Sequence, residues 1–135
     1  MSVKTFVKPE EVETLLFDWG TVKFLSEPAV TGAEKISYAI VILKVGTGHS
    51  NHNHPGTEEI LYCVSGEGRQ RVGDEVTMVK PGMLIHIPKD VYHETVNTGW
   101  EPLKFIAVYS PTGAEDVFRK LPDCKIVQAG QTPSA

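Results

Sequence analysis

The chain has 135 residues, of which 41% are hydrophobic and 22% charged, and a formal net charge of −4. This composition is typical of a globular domain, and the negative charge argues against nucleic acid or an anionic membrane as the main partner. No apolar run approaches the roughly 18 residues that a membrane-spanning helix needs, and Met1 to Phe6 lack the apolar stretch of a secretory signal.

The first third of the chain predicts one helix and two strands. Residues 8–16 have a proline near their start and acidic residues in the first turn, which favours a short helix. Residues 21–25 predict a strand, and a polar loop follows through Pro28 and Gly32. Residues 36–45 are rich in β-branched side chains and predict a long strand with room for a bulge.

The remaining elements continue the β pattern. Gly73-Asp74 separates two short runs and predicts a two-residue hairpin. Residues 114–121 predict a C-terminal helix that Pro122 ends. Further strands are predicted at residues 59–64, 67–72, 75–79, 84–87, 92–96 and 103–109. About eight short strands separated by turn residues predict an all-β sandwich or closed barrel.

Three histidines and a glutamate between Gly46 and Asn97 have the spacing of a metal site. If His52 and His54 share a strand, they project from one face about 6.6 Å apart, so both imidazoles can reach one ion at roughly 2.1 Å. Glu59 and His93 each lie near the start of a later predicted strand. A barrel that brings these segments together would supply three nitrogens and one oxygen to a single centre.

Two segments that carry these residues resemble the paired signature of the cupin superfamily. The first is bracketed by Gly46 and Gly66 and contains His52, His54 and Glu59. The second contains Gly82, Pro88, His93 and Asn97, with Asp90 where the family has glycine. Aspartate tolerates a left-handed turn better than most residues, so this departure is mild.

The resemblance implies a small single-domain cupin of the bacterial type, in which a jelly-roll β-barrel carries short N- and C-terminal helices. We therefore predict one domain over residues 1–135, with an N-terminal arm and helix at 1–20, a metal-binding core at 36–110, and a C-terminal helix and tail at 111–135. The resemblance also implies a homodimer. A cytoplasmic location is expected.

The metal ligands predicted are His52, His54, Glu59 and His93, with Glu59 also predicted to be catalytic through proton transfer. Mixed imidazole and carboxylate ligation suits one divalent transition metal, with iron or manganese favoured and nickel, copper or zinc compatible. We expect Glu58 to face away from the site, because neighbouring strand residues point to opposite faces. We expect His49 at the rim and His86 as a hydrogen-bonded strand residue. The sequence leaves open whether Arg69, Arg71, Gln70, Tyr38 or Tyr109 faces the pocket.

Three functions fit this site. The first is a metal-dependent, dioxygenase-like oxygenase acting on a small organic molecule, and the second is a redox-neutral isomerase, lyase or decarboxylase. The third is a module that binds a small molecule without turnover. A fold shared by all three does not select among them. The oxygenase is favoured because no clear acid–base partner beyond the ligands is visible in the sequence.

Overall fold

The computed structural model describes residues 3–133 of the chain. These residues contain ten β-strands and two short α-helices. A 3₁₀ turn at Pro9–Glu11 precedes the first strand. The helices are α1 (Pro28–Thr31) and α2 (Ala114–Arg119). The strands are β1 (Thr14–Phe17), β2 (Gly20–Ser26), β3 (Ser37–Leu43), β4 (Glu58–Ser65), β5 (Gly68–Val72), β6 (Glu75–Val79), β7 (Leu84–Ile87), β8 (His93–Asn97), β9 (Leu103–Ser110) and β10 (Lys125–Val127).

The strands form two antiparallel sheets. The larger has the order β10-β1-β2-β3-β9-β4-β7, and the smaller has the order β6-β5-β8. The loop after β3 extends the smaller sheet, because Gly48 and His52 form isolated bridges with Val96 and His93 of β8. Two sheets with these connections are the jelly-roll β fold that the sequence predicts.

The core lies on the inner face of the larger sheet. β3 and β9 alternate regularly between buried and less buried residues, as expected for strands with one face toward the interior. Removing this apolar surface from water is the main favourable term in folding. The innermost side chains include Leu15, Val22, Leu43, Phe105 and Tyr109.

The predicted helix at residues 8–16 is wrong. Only Pro9–Glu11 turns, and Val12 already has extended backbone angles. Thr14–Phe17 instead pairs with β2 on one side and β10 on the other. Sheet pairing and burial therefore outweigh the local preference for a helix. The predicted loop through Pro28 also contains the short helix α1.

The remaining predicted strands are present within about two residues of their predicted ends, and the hairpin at Gly73-Asp74 joins β5 to β6. The helix α2 ends at Arg119, shortly before Pro122. Neither helix of the described residues is long and apolar enough to cross a membrane.

Candidate metal centre

The histidine-bearing loop is held against β8 by backbone contacts. The His52 N–H donates to the His93 carbonyl at 3.0 Å, and the His93 N–H donates back to His52 at 2.8 Å. At Gly48 a Cβ atom would lie 2.5 Å from the Thr95 carbonyl oxygen, so only glycine permits this approach. His52 and His54 do not share a regular strand, because only His52 forms a β-bridge and His54 lies in the loop that follows.

The fold brings the three predicted histidines together. The ring centroids lie 4.9 Å apart for His52 and His54, 4.4 Å for His52 and His93, and 5.3 Å for His54 and His93. Their candidate ligand nitrogens all lie within 4.8 Å of one another. Glu59 borders this cluster, since its Oε1 lies 3.4 Å from His54 Nε2 and 3.3 Å from His93 Nε2.

Backbone carbonyls determine which imidazole nitrogen is free. His52 Nδ1 lies 2.9 Å from the Ser50 carbonyl, and His93 Nδ1 lies 3.1 Å from the Val91 carbonyl. A carbonyl only accepts, so Nδ1 carries a proton in both rings, and in the neutral form of each ring Nε2 keeps its lone pair. Such an outer contact is the usual way of orienting a histidine toward a metal ion.

Electrostatics favour a neutral His52 imidazole and an ionised Glu59 carboxylate. Burial, followed by the neighbouring imidazole of His49, lowers the pKa of His52 to about 3. Burial alone would raise the pKa of Glu59, but contacts with His54 and His93 outweigh it and hold that pKa at about 2. At neutral pH the His52 imidazole is therefore neutral and the Glu59 carboxylate is ionised.

Two buried atoms at the centre of the cluster lack a hydrogen-bond partner. They are His54 Nε2 and Glu59 Oε1, and their residues are 7% and 4% exposed. Buried polar atoms nearly always have a hydrogen-bond partner, so two neighbouring buried atoms without one call for an explanation. Nitrogen and carboxylate donors suit a divalent transition metal. The residues present therefore fit such an ion.

Asp90 occupies the position where the second cupin signature segment has glycine, and it adopts the left-handed conformation with φ 69°. Its Oδ1 accepts the Gly56 N–H at 2.8 Å, and its carbonyl accepts Asn53 Nδ2 at 3.0 Å. The aspartate thus makes the expected turn and also ties the histidine loop to the segment that leads into His93.

Two further residues border the cluster. The hydroxyl of Tyr109 is buried beside Glu59, and burial, followed by the charge of Glu59, raises the pKa of Tyr109 well above its usual value. His49 lies nearer the cluster than the predicted rim position, because its ring centroid is 4.6 Å from that of His52. Tyr109 is on the inner face of β9 by alternation, but a loop residue such as His49 has no period from which to predict its direction.

The other candidates lie away from the cluster. Glu58 is exposed on the opposite face of β4, as predicted, and accepts a 2.6 Å hydrogen bond from His86 Nε2. Arg69 and Arg71 are exposed on β5, whereas Gln70 is buried and bonded to Thr95. Tyr38 lies on the less buried face of β3.

A cleft leads from the surface to the histidines. It has a volume of about 320 Å³ and adjoins a smaller cavity of about 20 Å³ that reaches Glu59 and His93. Both are bordered by Trp19, His49, His52 and Phe118. Side chains of α2, among them Val117 and Phe118, form one wall of the cleft.

A model of the cupin domain matches residues 39–109, more than half of the chain and all four predicted ligands. The chain belongs to the cupin family. Its membership agrees with the resemblance of the two signature segments and with the jelly-roll fold.

Individual relatives and structural neighbours share only moderate sequence identity with this chain. The protein SchB of Streptomyces halstedii is 32% identical over 80 residues, which cover 59% of this chain and 58% of SchB. The polyketide synthase CurC of Streptomyces cyaneus is 28% identical over 105 residues, covering 78% of this chain and 68% of CurC. A predicted oxalate decarboxylase of Thermotoga maritima has a TM-score of 0.68 at 24% identity, covering 79% of this chain and 99% of its own, and shows the shared fold alone.

Proposed function

We propose that this cupin binds one divalent transition metal ion through His52, His54, Glu59 and His93, and acts as a metal-dependent oxygenase on a small organic molecule. One observation carries the proposal: a buried cluster with two unpartnered polar atoms opens onto an apolar cleft. Iron or manganese is the favoured ion, and nickel, copper or zinc is compatible with the same donors.

When bound, such an ion supplies Lewis-acid or redox chemistry. The chain's own residues orient the histidines through the Ser50 and Val91 carbonyls and exclude water with apolar side chains such as Leu61 and Phe105. In this proposal Glu59 holds negative charge at Oε1 and passes a proton, and the Tyr109 hydroxyl lies beside it. An apolar, water-poor lining protects reactive intermediates from side reactions, which favours the oxygenase.

A redox-neutral isomerase, lyase or decarboxylase is the second candidate. It is favoured by His49, whose Nδ1 lies 3.1 Å from the Ser50 carbonyl, so that Nε2 is left as a proton acceptor at the cleft. The name of the Thermotoga maritima relative points to the same class of reaction. A module that binds without turnover is the third reading of the same site.

Oxygen uptake separates these candidates. The protein is reconstituted anaerobically with iron(II), and oxygen consumption is then followed with a panel of diketones, phenols and thiols. Substrate-dependent uptake that disappears in Glu59→Gln supports the oxygenase. Tight metal binding with product formation and no oxygen uptake favours the redox-neutral enzyme, and metal and ligand binding without turnover favours the binding module.

We also infer a homodimer formed through the outer face of the larger sheet. On this face Ile60, Tyr62, Val64 and Leu84 are between 37% and 60% exposed, and Tyr62 lies opposite Leu84 in the register. The adjacent pair Glu58 and His86 gives the patch both an acceptor and a donor, so two copies related by a two-fold axis complement each other. A cytoplasmic location remains part of this proposal.

A further inference from the structure

The cleft that leads to the histidine cluster has a distinct charge pattern. Among the residues described, no lysine or arginine borders the cleft or the inner cavity, whereas Glu59 borders the cavity and Asp123 the cleft. Lys44 and Lys125 share a different groove with Asp123, on the surface formed by β1 and β2. Arg119 points elsewhere, since it is paired with Glu13 and Glu27.

These charges limit what the cleft can hold. With a divalent ion in place, the two carboxylates and the ion sum to zero, so no surplus positive charge is left for an additional anionic group. A carboxylate or phosphate entering an apolar cleft without a cationic partner loses hydration that nothing replaces. Recognition of such groups normally relies on arginine or lysine.

The shape and lining of the cleft point to a flat molecule. Trp19 is stacked on Phe17 with ring centroids 4.9 Å apart and an interplanar angle of 4°, so the indole is a rigid wall. Phe118 is held by edge contacts with the same Phe17 ring. Val117 and Leu121 add aliphatic surface, and Ser50 and Asn53 are the uncharged polar groups nearby. A volume of about 320 Å³ is at the lower end of small-molecule sites.

We infer that this cleft binds a neutral, planar compound of one or two rings that presents two adjacent oxygens to the histidine cluster, and that it discriminates against anionic analogues. The inference rests on the proposed metal site, because the ion is what the two oxygens would meet. The aromatic side chains bind the ring, the histidine end of the cleft receives the oxygens, and Asp123 repels a negative substituent.

The test uses two probes of matched size, 3,4-dihydroxybenzamide and 3,4-dihydroxybenzoate, which differ in charge but share the same pair of oxygens. Zinc is loaded first, because zinc does not oxidise the probes, and its stoichiometry is measured. Affinities are then determined by calorimetry. Trp100→Phe removes the exposed second tryptophan and leaves Trp19 as a fluorescent reporter of binding in the cleft.

We expect the amide to bind about tenfold or more tightly than the carboxylate and to quench Trp19. Asp123→Asn should reduce the ratio of the affinity for the amide to the affinity for the carboxylate. The matched change Asp116→Asn, on the exposed face of α2, should leave this affinity ratio unchanged. Equal or tighter binding of the carboxylate to zinc-loaded protein overturns the inference while the metal site stands, as does failure of the amide to bind or to quench Trp19. Failure to take up any metal overturns the proposed function together with the inference.

Discussion

Glu58 and Glu59 are neighbours in sequence that β4 places in opposite environments. The first is exposed and bonded to His86, and the second is buried against His54 and His93. The alternation of side chains along a strand is enough to predict this difference from the sequence. The same alternation places Leu61 and Cys63 on the inner face with Glu59, and both are buried.

Replacing each glutamate by glutamine tests this assignment. Glu59→Gln removes the carboxylate that the described residues place at the cluster, so metal affinity should fall by about 10- to 100-fold or more. Glu58→Gln changes an exposed hydrogen bond and should leave metal affinity within about twofold of the parent. Titration with a competing chelator measures both, and equal losses in the two variants would show that the assigned register of β4 is wrong.

Asp90 supports a second prediction for a single residue. Asp90→Gly keeps the left-handed turn but deletes the acceptor of the Gly56 N–H, so hydrogen exchange at Gly56 should become faster. Asp90→Asn retains both an acceptor oxygen and tolerance of positive φ, and should leave that exchange nearly unchanged. If the amide exchanges equally fast in all three proteins, Asp90 does not tie down the histidine loop.

At the scale of elements, the position of α2 depends on polar contacts that reach distant parts of the chain. Arg119 forms hydrogen bonds of 2.7 and 2.6 Å to the two oxygens of Glu27 and one of 2.9 Å to Glu13. Glu27 is 3% exposed, and Glu115 of the same helix is bonded to Ser37. These contacts fix α2 so that Phe118 lies over the site, 6.1 Å from His54 between ring centroids.

Arg119→Met leaves the buried Glu27 carboxylate without its partner. We expect the free energy of unfolding to fall by about 3 kcal/mol, because an unpaired buried charge is strongly destabilising. The double variant Glu27→Gln/Arg119→Met should recover part of this loss, since it removes the uncompensated charge. Urea denaturation measures both. A single variant as stable as the parent would mean that α2 is held by its apolar contacts alone.

Elements with a strong local pattern are predictable from the sequence alone. Strands such as β3 and β9 follow from β-branched residues, and β6 and β7 are predicted to the residue because turns bound them closely. Elements whose structure depends on a distant partner are not predictable in this way: β1 pairs with β10, more than 100 residues later in the chain, and the local sequence pattern predicts neither strand. The four candidate ligands came from spacing, but their tautomers and the role of His49 depend on loop geometry that has no period.

At the scale of the whole molecule, the outer face of the larger sheet tests the proposed homodimer. Leu84→Asp places a charge in the exposed apolar patch next to Tyr62, so it should convert a dimer into a monomer. Val76→Asp, on the exposed part of β6 in the smaller sheet, is the matched control and should leave the assembly intact. Light scattering after gel filtration reads out both. A parent protein that is already monomeric would refute the interface.

Three separate parts of the fold, the histidine loop, β4 and β8, each contribute side chains to the same buried cluster. Metal content per chain, measured by elemental mass spectrometry on the purified and reconstituted protein, tests this most directly. We expect about one ion in the parent and in His86→Ala, and loss of the ion in His54→Ala and His93→Ala with the circular dichroism of the fold preserved. Full metal occupancy in either of those two variants, or a parent that takes up no ion, would contradict the account.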